Sequence, residues 1–148
     1  MKQLDIETEL LRQGETRRIL VRGNSMRPYL VHERDYVCLK KLQEVHVGDI
    51  VLAEVQPSRY IMHRVIGIDG KAMTMRGDGN LTTEKCSVDD VRGTAIAFVR
   101  KGNADAEPLT TLHYRIYRWF WMHNPMLVRR VLLKIHAILF DSCKDLRR

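Results

Sequence analysis

Cysteine is scarce in this sequence, and the cysteines that occur are not spaced for a disulfide framework or a zinc site. Cys38, Cys86 and Cys143 are an odd number of thiols without a C-x-x-C pair. The six histidines also lack the H-x-x-x-H and H-E-x-x-H spacings that place two metal ligands on one helix face. We therefore expect buried free thiols, no metal site and no cofactor requirement.

Long hydrophobic runs are absent as well. The first residues, MKQLDIETELLRQGETRR, carry acidic side chains where a secretory signal needs an apolar core. Near the C-terminus, MLVRRVLLKIHAILF would extend about 22 Å as a helix, short of a hydrocarbon core of about 30 Å. Because this run also contains Arg129, Arg130 and Lys134, we do not expect it to span a membrane. We expect a cytoplasmic protein.

Positive charge is concentrated in the last quarter of the chain. Residues 111–148 hold eight Lys and Arg against two Asp, which gives +6 of the whole chain's +7. In this tail the segment LHYRIYRWFWMH is aromatic and basic, and Asn124 and Pro125 look like the N-cap and first residue of a further helix. Residues 1–110 are close to neutral, so electrostatic attraction to a partner would belong to the tail.

Three interpretations of the tail remain open: a helical hairpin packed on the domain, an element lying on a membrane surface, and a helix that binds a partner. We favour packing, with the apolar residues covering the β domain and Arg129, Arg130 and Lys134 on the solvent face. These cations would then give the protein a weak, peripheral attraction to anionic membrane.

Between residues 18 and 100 the sequence changes to short β-rich segments: RRILVRG, DYVCLKKL, GDIVLAEV, RYIMHRVIGID, KAMTMRGDG and VRGTAIAFVR. Turn dipeptides separate several of them, at Gly48-Asp49, Asp69-Gly70 and Gly77-Asp78. The pattern predicts a mainly β protein, with an antiparallel β domain over residues 1–110 and a helical tail over 111–148. A short amphipathic helix through Leu4, Leu10 and Leu11, ended near Gly14, should precede the first strand.

The stretch VRGNSMRPYL places a serine directly after the first predicted strand. Gly23 and Asn24 allow a sharp turn there, so Ser25 could be presented at a strand edge as a nucleophile. A nucleophilic serine needs a base, and His63 is the best-placed histidine because it lies inside an apolar strand. A hydrogen-bonded structural histidine is the alternative interpretation of that position.

Two carboxylates follow His63 at short distance in the sequence. Asp78 lies in the turn MRGDGN, and Glu84 lies six residues further on. Either one could hold the second ring nitrogen and stabilise the imidazolium. Each could equally be an ordinary turn or surface residue.

Four motifs in order resemble the boxes of the signal peptidase I family: G-N-S-M-R-P, G-D-I-V, H-R-V-I-G and R-G-D-G-N. That family shares its serine-peptidase fold with the self-cleaving domain of the LexA repressor, and the resemblance covers about residues 20–98. It implies that Ser25 is the nucleophile and that its own backbone N–H contributes to the oxyanion hole. It further implies that Gly23 permits the turn, and that Met26 and Pro28 fix the loop and line the substrate cleft.

The residue at the position of the base distinguishes this chain from most bacterial members. They usually carry a lysine immediately before R-V-I-G, whereas His63 resembles the Ser-His type of endoplasmic-reticulum and archaeal signal peptidases. A lysine must lose about three pKa units to act as a base near pH 7, while histidine begins near 6.5. By resemblance, Asp78 is the favoured orienting acid, and Glu84 is an additional acid where an Asp is expected.

The resemblance implies a serine endopeptidase that cleaves a leader or signal-type peptide, with a leader-bearing peptide or protein as its partner. The chain lacks the N-terminal anchor of membrane-bound signal peptidases, so we do not expect a role in general protein export. One alternative is a non-enzymatic basic β domain that binds nucleic acid or a protein partner. We disfavour nucleic acid, because Trp119, Phe120 and Trp121 are spaced more like packing residues than a base-stacking platform. The other alternative is a catalytically idle peptidase relative.

Overall fold

An antiparallel sheet of eight strands forms the body of the protein. The computed structural model describes the backbone of residues 3–145 and the side chains of residues 3–139. The strands are β1 (Arg17–Leu20), β2 (Asp35–Lys40), β3 (Ile50–Gln56), β4 (Arg59–Asp69), β5 (Ala72–Arg76), β6 (Glu84–Ser87), β7 (Val91–Arg100) and β8 (Glu107–Pro108). The helices are α1 (Gln3–Arg12), α2 (Leu112–His123) and α3 (Met126–Asp145), and one 3-10 turn covers Val88–Asp90.

The strands follow the order β1-β2-β7-β3-β4-β5-β6, and β8 pairs with β7. Every pairing is antiparallel, so β7 from late in the chain lies between β2 and β3 from its first half. This arrangement puts β4, β5 and β6 side by side, and these three strands carry or flank the predicted His63, Asp78 and Glu84.

Each face of the sheet carries a buried cluster, and side chains alternate between the two faces along each strand. In β3, Ile50 and Leu52 pack in a large core cluster, whereas Val51 and Ala53 pack in a second cluster on the other face. The large cluster also receives Leu11 from α1 and Tyr114 from α2. The helices α1 and α2 are therefore parts of the core.

The predicted fold class is confirmed. The sheet is antiparallel, a helix precedes it, and two helices follow it. All six β-rich segments contain strands, while β6 and β8 are additional strands that the sequence pattern did not predict. Asn124 is the C-cap residue of α2, and α3 begins at Met126, so the predicted N-cap and first helical residue were placed slightly too early.

The predicted packing of the tail is only partly correct. Trp121 of α2 is buried as expected, with 3% exposure, but Trp119 and Phe120, which were also expected to pack, are 64% and 43% exposed. Arg129, however, was expected on the solvent face and is 2% exposed, whereas its helical neighbours Leu127 and Val131 are 73% and 55% exposed. The physical reason is that the Arg129 guanidinium donates hydrogen bonds to the backbone carbonyl of Asp78 in the β domain and to that of Trp121 in α2, which turns the apolar side of α3 outward.

Two further predictions concern the free thiols and membrane-spanning helices. Cys38 is buried and Cys86 is partly buried, and both are free, while the side chain of Cys143 lies outside the described residues. Among the helices that the structure describes, none combines the length and apolarity needed to cross a bilayer.

Candidate active site

The serine motif forms a tightly held loop between β1 and β2. Gly23 has a φ of 86°, in the left-handed region that favours glycine, and its N–H donates a 2.9 Å hydrogen bond to Nδ1 of His32. Met26 is 2% exposed and packs in the large core cluster, so it anchors the loop from below and offers almost no surface to a cleft. Pro28 is partly buried, and Ser25 is partly exposed.

The loop at residues 77–80, between β5 and β6, lies directly against this serine loop. The Gly79 N–H donates a 2.7 Å hydrogen bond to the carbonyl oxygen of Ser25. A Cβ atom on Gly77 would lie 2.3 Å from that same oxygen, and one on Gly79 would lie 2.5 Å from the carbonyl oxygen of Asn24. Both glycines are therefore required for the two backbones to approach each other so closely.

His63 lies in the middle of β4 and is 5% exposed. Its Nδ1 is 3.0 Å from Oε2 of Glu84, which begins β6 two strands away. Its Nε2 is 3.5 Å from the side-chain amide nitrogen of Asn80, the residue that follows Gly79. The loop at 77–80 thus contacts both the serine loop and the imidazole of β4.

Burial and Glu84 act on His63 in opposite directions. Desolvation disfavours the imidazolium and lowers the pKa of His63 below its usual value near 6.5, while the Glu84 carboxylate partly offsets this shift. The Oε2 atom of Glu84 that faces the ring is itself buried, although 42% of the Glu84 side chain is exposed. At neutral pH the ring is therefore mainly neutral and can accept a proton.

Asp78 has a different position from the one we expected for an orienting acid. Its two carboxylate oxygens accept hydrogen bonds of 2.8 Å and 2.7 Å from Nε and Nη2 of Arg64, and the hydroxyl of Tyr117 donates a third at 3.0 Å. The side chains of Asp78 and Arg64 are each 1% exposed. Because the guanidinium occupies both oxygens, the carboxylate that meets Nδ1 of His63 is Glu84.

All three guanidinium nitrogens of Arg64 donate hydrogen bonds. Its Nη1 donates to the carbonyl oxygen of Gly48 at 2.9 Å and to the Tyr114 hydroxyl at 3.2 Å. Burial alone would lower the pKa of Arg64, but the attraction of Asp78 outweighs it and raises that pKa. The pair is a buried, bidentate ion pair whose remaining donors are satisfied.

Two further residues of the helical tail also bind the loop at 77–80. The indole Nε1 of Trp121 and Nη1 of Arg129 each donate a 3.1 Å hydrogen bond to the backbone carbonyl of Asp78. Nη2 of Arg129 donates to the carbonyl of Trp121 at 2.8 Å, and its guanidinium lies 4.8 Å above the Trp121 ring. Side chain and backbone of Asp78 are therefore held by three elements: β4, α2 and α3.

Sequence reasoning did not identify four residues of this arrangement: Arg64, Tyr117, Trp121 and Arg129. A signal was present for Arg64, which stands beside His63 inside the same apolar strand, where a charged group requires a partner. No comparable signal existed for the tail residues, since their contacts with Asp78 join positions 39 to 51 residues apart in the sequence.

An antiparallel sheet that carries a serine loop and a buried histidine 3.0 Å from a carboxylate fits a peptidase-like domain. The chain belongs to the Peptidase S24-like family, whose sequence profile matches residues 1–91. No curated protein sequence matches the chain. The family match includes Ser25, His63 and Glu84 and ends at the first residue of β7, so the tail lies beyond it.

Proposed function

We propose that this protein is a serine endopeptidase in which Ser25 is the nucleophile, His63 the general base and Glu84 the orienting carboxylate. The observation that carries the proposal is the buried His63, which has a carboxylate oxygen 3.0 Å from Nδ1 and whose Nε2 lies 3.5 Å from Asn80, in the loop that is hydrogen-bonded to the Ser25 carbonyl. A carboxylate beside Nδ1 is the arrangement that orients the imidazole of a general base and stabilises the imidazolium that forms.

In the proposed reaction, Nε2 of His63 takes the Ser25 hydroxyl proton as Oγ attacks the carbonyl carbon of a peptide bond. The imidazolium that forms is stabilised by the Glu84 carboxylate and then protonates the leaving amine, which leaves an acyl ester on Ser25. A water molecule deprotonated by the same ring hydrolyses this ester and restores the free serine. The backbone N–H of Ser25 is the proposed donor to the oxyanion.

The proposed substrate is a leader or signal-type peptide. Support comes from the motifs shared with signal peptidases and from a serine that is only partly buried on a surface loop, where an extended chain can reach it. The rigid packing of the serine loop against the loop at 77–80 favours a preformed cleft.

The test is cleavage of a mixed library of synthetic peptides, with products identified by mass spectrometry. We expect cleavage by the native chain and none by Ser25→Ala or His63→Ala. Ser58→Gly and the exposed His46→Ala are matched controls that should retain activity. Cleavage that survives Ser25→Ala would refute the assignment. A folded native chain that neither cleaves peptides nor acylates at Ser25 would be an idle relative of the family.

A further inference from the structure

Large apolar side chains are exposed mainly on the two tail helices. Of the sixteen such side chains that the described part of the chain exposes, eleven belong to α2 and α3. In α2 they lie at helical spacing on one face, opposite the buried Tyr114 and Trp121: Leu112, Ile116, Trp119 and Phe120. Trp119 is 64% exposed. This face of α2 is turned away from the domain.

In α3 an apolar stripe repeats every three or four residues. Leu127, Val131, Ile135 and Ile138 are 73%, 55%, 48% and 65% exposed. The other side of the helix holds the buried Arg129 and the partly buried Leu132, Leu133 and His136. Because Arg129 fixes this orientation through its two backbone contacts, the apolar stripe cannot be turned inward without breaking them. We call the exposed sides of α2 and α3 together the tail face.

Between residues 111 and 139 the Lys and Arg side chains of these helices have no acidic counterpart. Exposed cations accompany the apolar stripes at Arg115, Arg118, Arg130 and Lys134. Residues 111–139 contain no Asp or Glu. In α3, Arg130 and Lys134 lie along the edge of the apolar stripe.

A surface that is apolar in the centre and cationic at its edge is complementary to an anionic lipid bilayer. A second copy of the chain fits this surface less well, because a two-fold interface would set these cations opposite each other, and residues 111–139 supply no carboxylate to neutralise them. We propose that the tail face inserts its apolar side chains into the interfacial layer of an anionic membrane while its cations contact lipid headgroups. The proposal is independent of the peptidase activity.

Membrane binding through the tail face would fix the candidate site at the lipid surface. Trp121 and Arg129, on the inner sides of the same helices, hold the Asp78 carbonyl in the loop that contacts Ser25. A substrate tethered to the membrane would therefore meet the site without leaving the surface.

The first measurement is cosedimentation of the full chain with vesicles at low salt. We expect binding to vesicles of phosphatidylglycerol and phosphatidylcholine, and little binding to phosphatidylcholine alone. The double variant Leu127→Ser/Ile138→Ser should weaken partitioning at least about tenfold, because two exposed apolar side chains are lost from the inserting face. Ile6→Ser/Leu42→Ser removes two exposed apolar side chains from elsewhere and should bind as the native chain does.

The cations are tested in the same assay. Arg130→Gln and Lys134→Gln should each weaken binding on the order of fivefold. Lys40→Gln and Lys101→Gln, which remove exposed cations outside the tail, are the matched controls. These variants change only exposed positions, so circular dichroism should show the native fold in each.

Tryptophan fluorescence reports insertion directly, because the chain has two tryptophans and Trp121 is already buried. Anionic vesicles should shift the emission of Trp119 to the blue, and Trp119→Phe should abolish the shift. The proposal would be overturned if the folded chain did not bind anionic vesicles at low salt, or if Leu127→Ser/Ile138→Ser bound them as tightly as the native chain. It would also be overturned if the chain formed a dimer through the tail face that persisted in the presence of vesicles.

Discussion

At the residue scale, the two carboxylates near His63 have separate tasks. Glu84 is the one that contacts Nδ1 of the ring, at 3.0 Å. Asp78 is enclosed by Arg64 and Tyr117 and has no free oxygen for the ring. Chemistry at His63 should therefore respond to Glu84, and stability should respond to Asp78.

Glu84→Gln should lower kcat/KM by roughly tenfold to a hundredfold, because the imidazolium formed during attack loses its carboxylate. The pH dependence should also change. Glu84 raises the pKa of His63 against the lowering effect of burial, so its removal should lower that pKa further and move the acid limb of kcat/KM to lower pH. The measurement is the pH profile of peptide cleavage. The exposed Glu44→Gln is the control, and an acid limb that stays in place or moves to higher pH would contradict the assignment.

Asp78→Asn should destabilise the fold by about 3–5 kcal/mol, because it leaves the buried Arg64 charge without its partner. Urea unfolding measures this free energy. The double variant Arg64→Met/Asp78→Leu removes both charges. Its loss of unfolding free energy should be smaller than the sum of the losses for Arg64→Met and Asp78→Leu. Additive losses would mean that Arg64 and Asp78 do not depend on each other.

Sequence analysis identified Ser25, His63 and Glu84 as candidates, but it favoured the wrong carboxylate for the contact with Nδ1. The motif spacing placed Asp78 near the ring, and the structure does bring its loop to Ser25. The choice depended on Arg64 of β4, whose guanidinium binds Asp78 in the loop that follows the neighbouring strand β5. A pairing between side chains of distant segments is not contained in the local pattern of either one.

At the element scale, local composition could predict the six longer β-rich segments, because runs of Val and Ile bounded by turns are typical of strands. It could not predict β6, with the sequence EKCS, or the two-residue β8, because both exist only through pairing with a neighbour. In α3, periodicity showed an amphipathic helix but did not indicate which side faces the domain.

Gly77→Ala and Gly79→Ala should each reduce activity by more than tenfold, since the added Cβ would clash with a backbone carbonyl of the serine loop and push the two loops apart. Gly67→Ala is the matched control, because a Cβ at that position of β4 would meet nothing within 4 Å. Peptide cleavage and thermal unfolding should be measured on all three variants. If Gly77→Ala and Gly79→Ala were as active as Gly67→Ala, the loop contact would have no part in the site.

At the scale of the whole molecule, the folding unit extends beyond the family match. That match ends at residue 91, yet β7 pairs with β2, β3 and β8, and Tyr114 of α2 packs in the large core cluster. The tail thus contributes to the core and to the site as well as to the exposed tail face.

A chain shortened to residues 1–110 should lose cooperative unfolding, because it lacks Tyr114 from the core and both tail donors to the Asp78 carbonyl. Thermal unfolding followed by circular dichroism tests this expectation, with the full chain as reference. A sharp transition near that of the full chain would show that the β domain folds without the tail.

The most direct test of the proposed chemistry is acylation of the serine, which needs no knowledge of the substrate. A small phosphonofluoridate should modify the folded native chain once, and peptide mapping by mass spectrometry should place the adduct on Ser25. The rate should rise with pH through an apparent pKa below about 6.5, set by the buried His63. Ser25→Ala should carry no adduct, and His63→Ala should react far more slowly. An adduct on another residue, or an unmodified Ser25 in folded protein at pH values where His63 is neutral, would contradict the assignment of Ser25 and His63 as nucleophile and base.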